Sequence, residues 1–164
     1  MRRASEALAH APEYQSDADP PALPMLVAQM LEPFGLHRFK CTGPALMIPP
    51  QVGGTFALLL HELATNATKY GALSVPAGRV SISWWQEPGA VHFDWTEIGG
   101  PAVTPPARRG FGSRLLASAF PEDQAAVTID YRADGVRCRI SLIVPPEVVA
   151  RSAPAYPPPS PAEA

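Results

Sequence analysis

The sequence predicts an α+β fold in which helices cover one face of a sheet. Two segments, Leu23 to Phe34 and about Pro50 to Tyr70, carry apolar residues at helical spacing. Two others, Arg79 to Glu97 and Val127 to Val144, alternate around short turns and read as antiparallel hairpins. Helices set between runs of antiparallel strands are the pattern of a layered α+β domain.

The elements follow in order. Arg2 to His10 reads as a short helix stopped by Pro12, and residues 11–22 as a linker of turn formers and acids. Leu23 to Phe34 has apolar residues at 23, 26, 27, 30, 31 and 34, and is closed by Pro33 and Gly35. His37 to Cys41 and Ala45 to Ile48 are short strand candidates around Thr42-Gly43-Pro44. A longer helix then runs to Tyr70. Arg79 to Gln86 sets Val80, Ile82 and Trp84 against Arg79, Ser81 and Ser83, a half-buried strand. Glu87-Pro88-Gly89-Ala90 turns the chain into a second strand, Val91 to Glu97. Gly99 to Gly110 reads as loop and Phe111 to Phe120 as a short helix. Val127 to Tyr131 and Val136 to Val144 form a hairpin across Ala133-Asp134-Gly135. The Pro/Ala/Ser-rich stretch from Pro145 to Ala164 reads as a disordered tail.

The 164 residues suit one compact domain, and 46% hydrophobic with 17% charged residues is a globular composition. A net charge of −2 gives no global pull toward nucleic acid or an anionic membrane. Cys41 and Cys138 lie far apart without partners at metal-ligand spacing, and read as free thiols. No apolar run approaches the roughly 20 residues that span a bilayer, and no export signal opens the chain. A cytoplasmic location is expected.

The richest segment is His61-Glu62-Leu63-Ala64-Thr65-Asn66-Ala67-Thr68-Lys69-Tyr70-Gly71-Ala72-Leu73-Ser74. On a helix, at about 100° per residue, Glu62, Asn66 and Lys69 fall within an arc of roughly 60°. Phe56, Leu60, Leu63, Ala67 and Tyr70 gather on a neighbouring arc that can face a core. A carboxylate, an amide and an ammonium then share one edge beside a buried stripe, which suits gripping a metal-phosphate group. Spacing alone is also that of an amphipathic helix with a solvated charged face. His-Glu-x-x-His would indicate zinc, but position 65 is Thr. His61 sits about 100° from Glu62 around the helix and is expected to pack against Trp95 or Trp84 rather than touch a ligand. His37 and His92 are lone histidines in strand candidates.

Trp95-Thr96-Glu97-Ile98-Gly99-Gly100-Pro101 ends a strand with a carboxylate followed by two glycines. This puts an acceptor at the lip of the sheet beside backbone that a ligand can approach closely, and a purine's exocyclic amine donates to such an acceptor. A strand-terminating turn with an incidental Glu has the same residues. Arg109-Gly110-Phe111-Gly112-Ser113-Arg114-Leu115 is a glycine-rich loop opening a helix, where backbone N–H groups favour phosphate. It is not a Walker loop, since no Gly-Lys-Ser/Thr follows. Residues 102–108 between the two glycine segments form a short loop that could fold over a nucleotide. Arg108 and Arg109 fit phosphate contact and a solvated basic pair equally.

Together and in this order, the three segments resemble the ATP-binding domain of sensor histidine kinases. The match is to the HWE subgroup, named for a His in the first motif and Trp-x-Glu in the second, and covers about Pro21 to Val144. The resemblance implies a Bergerat-type two-layer α/β sandwich with a mixed, mostly antiparallel sheet. It implies ATP and Mg²⁺ as cofactors. Asn66 would bind Mg²⁺ between the phosphates, with Glu62 a second candidate ligand; Glu62 would orient or deprotonate the attacking group. Lys69 would meet phosphate, and Tyr70 would belong to the ATP-binding set. Glu97 takes the place of the Asp that usually reads the adenine amine. Gly99, Gly100, Arg109, Gly110, Phe111, Gly112, Ser113 and Leu115 would line the nucleotide.

Family kinases carry a helical hairpin with the phosphoacceptor His upstream, and here only about 20 residues precede the matched region. Residues 1–20 are expected to be a remnant of that hairpin plus linker, 21–144 the ATP-binding domain and 145–164 the tail. The expected partners are a phosphoacceptor hairpin or separate His-bearing protein, and a response regulator downstream, with no nucleic acid and no membrane segment. Two other functions fit: a non-catalytic nucleotide-binding or docking module, and a Ser/Thr kinase of the anti-sigma-factor type.

Overall fold

The protein's structure, a computed structural model, describes residues 22–103 and 125–144. Helix α1 (Leu23–Leu31) begins after an extended Ala22, with Pro24 in its first turn, where a missing N–H costs nothing. It buries Leu23, Leu26, Val27 and Leu31. Helix α2 (Pro50–Lys69) follows a second proline, Pro49, and buries Phe56, Leu59, Leu60, Leu63, Ala64 and Ala67 along one stripe. The strands are β1 (Phe39–Thr42), β2 (Arg79–Glu87), β3 (Ala90–Ile98), β4 (Ala125–Arg132) and β5 (Gly135–Ile143).

Among the described residues the five strands form one sheet in the order β1-β2-β3-β5-β4. β1 pairs parallel with β2, and every other pairing is antiparallel. The β2–β3 hairpin closes at Glu87↔Ala90 around Pro88-Gly89, with Gly89 at φ 81°, as a tight hairpin turn requires. The fold is therefore the mixed, mostly antiparallel α+β sandwich expected. Its core lies between the helices and one face of the sheet: Val80, Ile82 and Trp84 of β2, Val91, Phe93 and Trp95 of β3, and Cys138, Ile140 and Leu142 of β5. Phe56 of α2 meets Phe93 edge-on, ring centres 5.0 Å apart, and Trp84 stacks on Phe93 at 6.4 Å. The other face is polar. There Arg139 makes a bidentate pair with Asp94, both bonds 2.7 Å, and lies over Trp85, which stacks on His92.

The differences from expectation are local. The α-helical part of the first helix stops at Leu31, and Glu32–Phe34 winds into a 3₁₀ turn that ends at Gly35 with φ 84°. The first strand starts later than His37, because Leu36–Arg38 is also a 3₁₀ turn. Ala45 to Ile48 is no strand: only Met47 forms a bridge, to Ala22. Prolines flank this run at 44 and 49 and remove the donors a ladder needs, yet Leu46 and Ile48 are still buried. The N-terminal helix, the 111–120 helix and the 145–164 tail lie outside the described residues. No helix among the described residues is long and apolar enough to cross a membrane.

Candidate functional site

The last two turns of α2 present the expected polar edge. Its apolar stripe is held against the sheet, so the edge cannot rotate. Glu62 and Asn66 are half-buried and Lys69 is exposed. Among the described residues no hydrogen bond or ion pair engages these three side chains. The helix end is closed by the chain itself: Tyr70 N–H donates to the Asn66 carbonyl at 2.8 Å, and Gly71 N–H to the Ala67 carbonyl at 3.0 Å. Lys69 sits in that final turn, where the helix dipole favours a cation.

Tyr70 departs from expectation. It is 74% exposed rather than part of the core stripe. The helix ends at Lys69 and Tyr70 takes φ −134°, so the helical period no longer carries its side chain inward. His61 also differs. It meets Phe34 edge-on at 5.5 Å, not Trp84 or Trp95. Both indoles belong to the sheet side of the core, whereas exposed His61 faces the 3₁₀ turn after α1.

Beyond the helix, Gly71 leads into a 3₁₀ turn, Ala72–Ser74, and the segment closes on itself through Ser74 N–H to the Gly71 carbonyl at 3.0 Å. Glu97, near the end of β3, reaches under this turn. Its Oε2 accepts the Ala72 N–H at 2.7 Å. Glu97 is thus not at an open lip: it faces the helix side of the sheet and is only 4% exposed. Burial pushes its pKa up, opposed by the Ala72 bond and the nearby Trp95 indole. Trp95 Nε1 is itself buried, and among the described residues it has no hydrogen-bond partner of ordinary geometry. Gly71 is needed here, because a Cβ would land on the Glu97 carboxylate. Gly100 packs back the same way, its missing Cβ leaving room for the Ala72 backbone, and Gly99 turns the chain with φ 70°.

The structure therefore gathers the end of α2, the Gly71–Ser74 turn and the Glu97-to-Gly100 segment at one place. Arg109, Gly110, Phe111, Gly112, Ser113 and Leu115 lie outside the described residues. Two participants were not visible in the sequence. Ala72 has no side-chain chemistry, and acts through its N–H. Arg38 holds the same turn from a distance of 35 to 40 residues along the chain.

As for oxygen donors, Asn66 and Glu62 are the hard ligands that Mg²⁺ prefers. Mg²⁺ takes one or two protein groups and leaves the rest of its shell to phosphates and water. The half-buried pair on a fixed helix edge fits such an ion, and the buried carboxylate beside it fits a donor group on a ligand's far end.

No family model matches the chain. It is 46% identical over 105 residues to a blue-light-activated histidine kinase of Brucella anthropi, a match covering 61% of this chain and 21% of that protein. It is 37% identical over 136 residues to blue-light-activated histidine kinase 1 of Erythrobacter litoralis, covering 79% of this chain and 38% of the relative. The solved histidine kinase domain of the E. litoralis EL346 blue-light activated kinase has the same fold, with a TM-score of 0.62 at 15% identity, covering 90% of this chain and 74% of that one. The chain thus spans 21% and 38% of the length of the two curated relatives. In sequence the chain is similar to a segment of these histidine kinases, and its fold is that of a histidine kinase domain.

Proposed function

We propose that the chain binds Mg·ATP at the end of α2 and donates the γ-phosphate to a histidine carried by another segment or another chain, in two-component signalling. One observation carries this reading: the Glu62/Asn66/Lys69 edge adjoins the turn that Glu97 closes, so phosphate-type and base-type contacts meet at one end of one helix.

In this reading Asn66 holds the metal through its amide oxygen, with Glu62 beside it. Mg²⁺, when bound, neutralises phosphate charge, which phosphoryl transfer needs more than covalent chemistry. Glu62 orients the incoming imidazole and accepts its proton. Lys69 and Tyr70, both exposed, meet phosphate oxygens. Glu97 accepts from the adenine amine with the carboxylate capacity that Ala72 leaves open. Gly99 and Gly100 bring backbone close to the base. Arg109, Gly110, Phe111, Gly112, Ser113 and Leu115 are assigned to the nucleotide by motif resemblance alone. In this reading the nucleotide-binding domain is 21–144. A response regulator is the downstream partner that kinship with histidine kinases supports.

The test is transfer of label from radiolabelled ATP to a hairpin domain from a related kinase. Acid-labile, base-stable labelling of that domain is expected, and Glu62→Gln should slow it about 100-fold while leaving Mg·ATP affinity within a few-fold. Acid-stable label would indicate a Ser/Thr kinase. Tight Mg·ATP binding with no transfer would favour a docking or sensing module.

A further inference from the structure

Arg38 is the last residue of the 3₁₀ turn before β1. Because β1 and β2 run parallel, with Phe39 beside Val80, both strands start at the same end of the sheet. Arg38 therefore stands beside the segment that joins α2 to β2. Its Nη1 donates to the Leu73 carbonyl at 2.9 Å, and its Nη2 to the Gly78 carbonyl at 2.9 Å and to the Val75 carbonyl. Its Nε reaches Gly78 as well, at 3.3 Å. Among the described residues no carboxylate pairs with it. One half-buried cation thus gathers three carbonyls through charge-assisted bonds, which are stronger than neutral ones. The planar fork of guanidinium can span these positions; a lysine ammonium, with all its donors on one atom, cannot.

The gathered segment is the one that surrounds Ala72. Gly78 and Gly100 both abut the Ala72 backbone so closely that neither has room for a Cβ. Ala72 N–H in turn holds Glu97 Oε2 at 2.7 Å. From these contacts we infer that Arg38 is a positioning residue for base recognition: it fixes the Leu73, Val75 and Gly78 carbonyls, hence the Ala72 N–H, hence the Glu97 carboxylate that selects a purine bearing an exocyclic 6-amino group. The inference rests on the nucleotide-binding reading above and deepens it.

A clamp that only stabilised the fold would change all nucleotide affinities together. Positioning Glu97 acts on the base and spares the phosphates. The experiment is calorimetric titration of Mg·ATP, Mg·GTP and Mg·tripolyphosphate into the wild-type chain, R38K, E97Q and the double variant. Wild type should prefer ATP. R38K should lower the preference for ATP over GTP about tenfold, the worth of one net hydrogen bond, and leave tripolyphosphate binding unchanged. In the E97Q background R38K should alter the preference no further, since both changes act through one carboxylate. An unchanged preference in R38K, or an equal further loss on top of E97Q, would overturn the inference. A wild type that binds no ATP would instead remove the nucleotide reading, and this inference with it. If R38K does not fold, hydrogen exchange on the nucleotide-free wild type decides: the Ala72 amide must be strongly protected, and exchange at the rate of a free peptide overturns the inference.

Discussion

Glu97 brings its carboxylate under the Gly71–Ser74 turn at 4% exposure, and there its desolvation and its usefulness oppose each other. Burial raises its pKa, while the Ala72 N–H and the Trp95 indole hold part of the charge in place. A glutamate whose folded pKa lies above the unfolded one binds more protons when folded. Its ionisation therefore lowers stability as pH rises from the ordinary glutamate range through the folded pKa, and below that range the penalty is absent. E97Q keeps an oxygen for Ala72 and carries no charge. Its melting temperature should exceed that of wild type at neutral pH, and the gap should close as the pH is lowered through this window. Scanning calorimetry from acid to neutral pH checks the sign. The same variant should lose about 10- to 100-fold in Mg·ATP affinity, the range for a hydrogen bond to a charged group. The Trp-x-Glu spacing singled out Glu97 as a candidate in the sequence. Its burial was not legible, because that depends on Gly71 and Ala72 arriving from another element. Arg38 left no local signal at all: its partners lie at 73, 75 and 78, and only the β1–β2 pairing brings them near.

At the scale of elements, α2 is both core wall and edge of the candidate site. Its limits were readable to within a residue, because Phe56, Leu60, Leu63 and Ala67 keep helical period up to the end. Tyr70 was misplaced by extending that period one residue past the last helical turn. The two short strands were read less well: four or five residues carry too little pattern to separate a strand from a 3₁₀ turn, as at Leu36–Arg38, or from an extended connector, as between Pro44 and Pro49. Glycines within and after α2 separate helix propensity from packing. Gly54 is exposed, and a Cβ there would meet nothing within 4 Å. Gly54→Ala should stabilise the protein by about 0.5–1 kcal/mol, the helix-interior difference between the two residues. Gly71→Ala should destabilise by about 1–3 kcal/mol, as overpacking does, because its Cβ meets the Glu97 carboxylate. Urea denaturation of both variants at one pH measures the contrast; a Gly71→Ala as stable as wild type would mean that the turn is not fixed against Glu97.

For the molecule as a whole, alternation and helical period were enough to expect helices on one face of a mostly antiparallel sheet. The strand order β1-β2-β3-β5-β4 and the single parallel pair were not readable, since local pattern says which face is buried and not which strand lies beside which. That topology is what brings the candidate site together. It places the segment before β2, the end of β3 and the last turns of α2 at one end of the sandwich, with Arg38 behind them. The central claim is that this end binds Mg·ATP. Calorimetric titration of Mg·ATP into the wild-type chain and into Asn66→Ala tests it most directly. The account predicts saturable, magnesium-dependent binding to wild type, weakened at least about tenfold when the amide oxygen is removed. A folded chain that takes up no Mg·ATP, or an Asn66→Ala variant that binds it as tightly as wild type, would contradict it.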